Sequence, residues 1–343
     1  MRYLYVQVKM MDYKKIFILA AALVLLVTPS CKKDKDDEVV PFLDGNLAFS
    51  MPLFVLQGES ITLVPSGASN PKTGNVGYAW ACSWNSKRDT VKRETAAGNG
   101  SWTFTTPTTV GNYSVTGYAF ATDFTSLSTS KDFCVVNPTV NTTLTGTGYN
   151  LDSLTFKDPR DGGTYYLTKA GGDVWMQNNL YYQGSGVSYE WSPAVDQLFG
   201  RLYTWNEAVN ACPEGWHLPS DAEFAKLAGT FVKGSNFSAG ETFEGAAGAL
   251  MADVRFINTK MWAYWPDVKI TNESKFSAIP VGYGIEQNTS RRFTGTNSYA
   301  VFWTSNDDGN NGLYRYIYVD KNNLFCSKGD KESFRASVRC VKD

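Results

Sequence analysis

Between Gly200 and Phe224 the chain reads GRLYTWNEAVNACPEGWHLPSDAEF. This stretch gathers the only histidine, His217, with Cys212, Asp221, Glu223, Trp205 and Trp216. Imidazole beside a thiol or hydroxyl and a carboxylate is the raw material of nucleophilic catalysis. Imidazole with thiolates is also a zinc set. With one histidine in 343 residues, every such device must use His217. It stands between Trp216 and Leu218-Pro219, where it is expected to hold a turn. No other acid/base or nucleophile constellation is visible, so no catalytic residue and no metal ligand is assigned and the chain is not expected to be an enzyme.

The elements that position these residues follow from local rules. Thr204 can cap a helix over Trp205 to Ala211. Ser220-Asp221-Ala222-Glu223 is a capping box that opens a second helix reaching about Val232. Asp221 and Glu223 also complement the positive end of that helix. Phe224, Leu227, Ala228 and Phe231 recur at i, i+3, i+4 and i+7, one apolar face. The stretch therefore reads as a scaffold anchor.

The formal net charge is −1, leaving no basic excess to neutralise phosphates, so no nucleic-acid partner is expected. Aromatic residues make up 14% and charged ones only 19%, with abundant Gly, Thr, Ser and Asn. That balance points to a β-rich extracytoplasmic protein with many turns. Residues 1–30 read as a signal peptide: Lys14 and Lys15 precede the apolar run Ile16 to Val27. The run is shorter than the ~20 residues a membrane-spanning helix needs. Cys31 resembles the lipidated cysteine of a bacterial lipoprotein lipobox, although Pro29 departs from its small-residue pattern. Lys32 to Glu38, KKDKDDE, resembles the surface-export signal of Bacteroidetes lipoproteins. The resemblance implies a protein anchored by lipid in the outer membrane, exposed at the cell surface, with residues 31–43 as an acidic tether. An oxidising compartment, with a single histidine, also argues against zinc.

Residues 44–137 show short alternating runs with turn signals between them. Tyr78, Trp80, Cys82 and Trp84 alternate with small residues, and GNYSVTGYAF follows a turn. The pattern predicts an immunoglobulin-like β-sandwich, and GNYSVTGYAF resembles the late strands of PKD-like domains. Cys82 and Cys134 fall on strands flanking one central strand, roughly 9–10 Å apart. A disulfide needs Cα atoms within about 7 Å. Two buried thiols, or a different strand assignment, are therefore favoured over a bridge. Residues 138–149, rich in Thr, Asn and Gly without apolar period, read as a linker.

Residues 150–343 carry separated motifs. They include the DPRDGG turn from Asp158, Val174-Trp175-Met176-Gln177-Asn178-Asn179-Leu180, the central stretch, Phe276 to Tyr283, Val301-Phe302-Trp303-Thr304-Ser305, and Ser337 to Asp343. In this order and spacing they resemble the Fibrobacter succinogenes major paralogous domain, a family of surface proteins and lipoproteins with little established biochemistry. The order W-x-x-A, Leu-Pro and a capped acidic helix is also similar to the formylglycine-generating-enzyme superfamily, whose fold is related to C-type lectins. The fold class so implied is an all-β Ig-like sandwich followed by an α+β C-type-lectin-like domain. The oxidase chemistry of that superfamily relies on a closely spaced cysteine pair, whereas Cys326 and Cys340 stand fourteen apart. Within this resemblance Cys340 is paired with Cys212, tying the first helix to the terminal strand, and Cys326 is left over.

Calcium is the cofactor a lectin-like fold raises. Asn306, Asp307 and Asp308 supply side-chain oxygens after Trp303, but Asx and Gly are also what a polar turn uses, and no cofactor is assigned. Trp191, Trp262 and Tyr264 lie in loops and offer flat faces for sugar rings or protein hot spots. They too could simply cover the core from outside. The expected function is non-catalytic binding of an extracellular ligand, a polysaccharide, as an accessory glycan-binding protein of a nutrient-uptake system. The alternative is a structural or adhesive protein, such as a pilus-associated subunit, that binds protein partners.

Overall fold

A computed structural model describes residues 40–343 except 73, 85–89, 96–98, 140–142, 147–153, 263–267 and 288–289. The leader, Cys31 and Lys32 to Glu38 lie outside the described residues, as does Tyr264. Pro41–Asp343 forms one compact unit, in which strands far outnumber helical turns.

The first half is built on a five-stranded sheet. Its order is Phe54–Leu56, Leu127–Val136, Gly111–Phe120, Gly77–Trp84, Thr90–Thr95. In Gly111–Phe120 every second side chain is buried, as one sheet face on a core requires. Ser60–Leu63 and Trp102–Thr105 pair as a separate two-stranded sheet. Trp80 of the large sheet meets Trp102 of the small one, ring centroids 6.2 Å apart, and Trp102 stacks on Phe104 at 4.5 Å. This aromatic layer between sheets is compatible with a β-sandwich. Cys82 and Cys134 are buried thiols on Gly77–Trp84 and Leu127–Val136, the strands that flank Gly111–Phe120.

The second half packs irregular loops and smaller two- and three-stranded sheets around two larger ones. One has the order Thr155–Lys157, Thr164–Ala170, Asp173–Met176, Val341–Lys342, Trp216–His217, so the last strand of the chain lies inside it. The other runs Phe243–Glu244, Asn323–Asp330, Asn311–Tyr318, Tyr299–Asp307. Four short α-helices are described: α1 (Asp196–Phe199), α2 (Trp205–Ala208), α3 (Asp221–Phe231) and α4 (Ala247–Leu250). Both capping boxes form, Thr204 with Glu207 and Ser220 with Glu223. Helix α2 stops three residues short of the expected Ala211, its last carbonyls taken by turn bonds at Asn210 and Ala211. The α3 face Phe224, Leu227 and Ala228 enters a core with Trp175, Phe276 and Phe302.

Two buried arginines join these layers. Arg315, fully buried, sends Nη2 to Asp221 Oδ2 at 2.7 Å and lies over the Phe243 ring at 3.7 Å. Arg339 donates to Asn179 Oδ1 at 2.7 Å and to the carbonyls of Met176, Phe276 and Ser277. A disulfide joins Cys212 to Cys340.

The stretch read as a linker is not all linker. Leu144–Gly146 pairs antiparallel with Val254–Phe256, and Leu144 is buried. One apolar residue among Thr and Gly shows no period, so only its tertiary partner reveals the strand. The two halves also share a core. Phe54, Cys134 and Val136 of the sandwich pack with Tyr189, Val195, Phe199, Val254 and Met261, and the Phe54 amide donates to Ser192 Oγ at 3.3 Å.

Candidate functional site

A cleft of about 650 Å³ opens where the halves meet. The sandwich contributes Pro52, Phe54 to Leu56, Glu59, Pro138 and Thr139; the second half contributes the 161–164 turn, Tyr166, Asn178, Tyr181, Gln183, Trp191, Pro193, Ala194, Asp196 and Gln197.

Trp191 is placed by its neighbours. Tyr189–Trp191 is one 3-10 turn in which Glu190 (φ 49°) and Trp191 (φ 58°) both take left-handed backbone. Such backbone is costly for non-glycine residues and persists only where packing dictates it. Tyr189 supplies that packing. It is buried, its hydroxyl is 2.6 Å from Thr296 Oγ1, and its ring meets Phe54, Phe199 and Phe293. Ser192, also buried, pins the other side through Phe54 and the Glu190 carbonyl. Between these anchors Trp191 leans edge-on against Phe293 and stays 47% exposed. An indole held half in water is preorganised to cover an apolar ligand face.

The polar wall is equally organised. Asp161 accepts the amides of Gly163 and Gln183, which shapes the turn. The Tyr181 hydroxyl accepts from Thr164 N and donates to Thr164 O. Asp196 is buried, with Oδ2 held by Arg201 Nη1 at 2.7 Å and Ser188 Oγ at 3.2 Å. Its Oδ1 has no hydrogen-bond donor among the described residues. Burial raises the Asp196 pKa, and Arg201 and Ser188 offset only part of that rise. Burial likewise pushes the Glu190 carboxyl up.

The other sequence candidates lie elsewhere. Trp262 is corrected: it is fully buried, packs in the core beside Trp175 and Phe224, and donates Nε1–H to the Ala278 carbonyl. Its neighbour Met261 is buried too, so both side chains turn inward where loop positions were expected. Asn306, Asp307 and Asp308 do not line the cleft. Asn306 Oδ1 accepts the Asp221 amide at 2.7 Å. Asp307 pairs with Lys331 at 2.9 Å and Asp308 with Lys328 at 2.8 Å, which lowers both carboxyl pKa values. Oxygens committed to separate lysines and a backbone amide form a turn, not a converging cation cage. Among the described residues no cluster of three or more His, Cys, Asp or Glu could hold a metal.

His217 bridges two carboxylates. Nε2 lies 2.8 Å from Glu223 Oε1 and Nδ1 lies 2.7 Å from Asp343 Oδ1. Both ring nitrogens are thereby engaged, joining the start of α3 to the chain end. Burial acts downward on the imidazole, but the bonds to Glu223 and Asp343 outweigh it and raise its pKa above 6.5. A raised folded value means the contribution is full below the unfolded value and is lost as pH rises through the folded one. With the ring 40% exposed, screening keeps the contribution to about 0.5–1 kcal/mol. The melting-temperature gap between wild type and His217→Gln is expected to be wider near pH 5.5 than near pH 8.5, as measured by calorimetry. An equal gap at both would show that the charged bridge contributes nothing.

Of the cleft residues, Trp191 alone was singled out from sequence, as a tryptophan in a polar loop. Asp161 was legible only as part of the DPRDGG turn, and Asp196, Gln197 and the sandwich wall carried no local signal, since the cleft joins segments more than a hundred positions apart.

No curated protein matches the chain. The Fibrobacter succinogenes major domain matches it over residues 168–342, slightly more than half of its length, taking in Trp191 and the 193–197 wall but not the sandwich face of the cleft. The chain belongs to the Fibrobacter succinogenes major domain family.

Proposed function

We propose that this protein is a cell-surface lipoprotein that binds a polysaccharide without catalysis, as an accessory glycan-binding protein of a nutrient-uptake system. On this reading Cys31 carries the lipid, the sandwich is a PKD-like module and the second half is a C-type-lectin-like domain. The observation that carries the reading is Trp191, held half-exposed by strained, well-anchored backbone on a cleft that mixes aromatic and hydrogen-bonding groups. Aromatic platforms flanked by amides and carboxylates suit sugar rings, which have apolar faces and hydroxyl edges. The cleft acids support binding over chemistry: Glu59 accepts the Leu56 amide, Asp161 accepts two amides and Asp196 is tied to Arg201.

Affinity electrophoresis across plant and host polysaccharides tests this. Wild type is expected to be retarded by at least one of them, and Trp191→Ala to weaken that binding about tenfold or more, the scale of a lost hot-spot aromatic. Retention by no polysaccharide, with protein partners recovered instead, would establish the adhesive alternative.

A further inference from the structure

We infer that the cleft selects uncharged, hydroxyl-rich sugar chains and rejects acidic ones. This rests on the proposed glycan-binding role and names the ligand class of the same site.

Every ionisable side chain on the cleft that charges near neutral pH is a carboxylate: Glu59, Asp161 and Asp196. Glu190, the residue before Trp191 in its turn, is a further carboxylate but is not part of the lining. No Lys, Arg or His lines the cleft among the described residues. The guanidiniums of Arg201 and Arg160 are engaged elsewhere. Arg201 serves Asp196, Ser188 and the carbonyls of Ser185 and Gly186. Arg160 serves Asp158 and the Ala211 carbonyl while lying over the Tyr182 ring. A uronate or sulfate entering here meets negative charge on both walls and no cation to pair with, and like charges brought together in a partly desolvated site repel.

The hydrogen-bond inventory points the same way. The carboxylates of Glu59 and Asp161 on the lining are acceptors only. Sugar hydroxyls donate to the carboxylates of Glu59 and Asp161 and accept from the amides of Asn178, Gln183 and Gln197, whereas an anionic substituent brings acceptors only.

The test uses the full chain and matched polymers: mixed-linkage β-glucan, galactomannan and arabinoxylan, each beside its carboxymethylated derivative, and polygalacturonate beside its methyl ester. On any backbone retained through Trp191, the uncharged member is expected to bind at least about tenfold more tightly at low salt, narrowing as salt screens the repulsion. Glu59→Gln, which keeps an acceptor for the Leu56 amide, is expected to cut that preference about threefold. Equal or tighter binding of the acidic member, lost in Trp191→Ala, overturns the selectivity and leaves the cleft as the glycan site. Retention of none of these polymers or of the wider panel removes the glycan-binding role and the selectivity together.

Discussion

Asp221→Ala is expected to lower the unfolding free energy by about 3–5 kcal/mol, because it strands a buried arginine charge. Arg315 has no access to water. Its Nε and Nη2 meet Asp221, its Nη1 donates to the Glu241 carbonyl, and Phe243 covers its plane. Asp221 Oδ2 also accepts the Gly240 amide, so one carboxylate ties α3, the 240–241 loop and Asn311–Tyr318, an inner strand of the four-stranded sheet. Removing it leaves the cation desolvated and the loop amide unpaired. Urea unfolding of Asp221→Ala, Arg315→Met and the double variant measures this. The double variant is expected to be more stable than Asp221→Ala, since an apolar pair need not be compensated. A loss under about 1 kcal/mol in Asp221→Ala would show that the pair is structurally dispensable.

Removing the Cys212–Cys340 bridge has an effect of similar size. The cysteines are 128 positions apart, and the chain-entropy estimate for so long a loop is about 5 kcal/mol. The cross-link holds Val341–Lys342 between Asp173–Met176 and Trp216–His217, so losing it also loosens the His217–Asp343 contact. Cys212→Ala/Cys340→Ala is expected to melt well below wild type, and reduction of wild type to lower its midpoint toward the variant's. Unchanged midpoints in both would remove the bridge from the account of stability.

Local features were open to inspection in the chain. Ser220 and Glu223 announce a helix start because capping needs only residues three apart, and Phe224, Leu227 and Ala228 announce its buried face through helical spacing. The strand alternation of Gly111–Phe120 is visible for the same reason. The motifs that follow residue 168 identify the family because they keep order and spacing along the chain. Trp262 shows the limit. Its neighbours are mixed, and whether its ring meets water or Trp175 depends on a fold that brings distant segments together. The strand at Leu144 and the fused core around Phe54 are hidden likewise, each having partners only across sequence.

Sequence alone determined the capped starts of α2 and α3 and the alternating strand Gly111–Phe120, since backbone geometry and capping act over a few residues. It also marked Trp191 as an aromatic without a local core. Tertiary structure alone decided that Trp191 faces a cleft, that no Lys, Arg or His is among the described residues lining it, and that Asp196 lies in its wall, tied to Arg201, with one oxygen unsatisfied. Burial, charge pairing and cavity shape are sums over neighbours in space. For this cleft those neighbours come from two halves of the chain that share no sequence pattern.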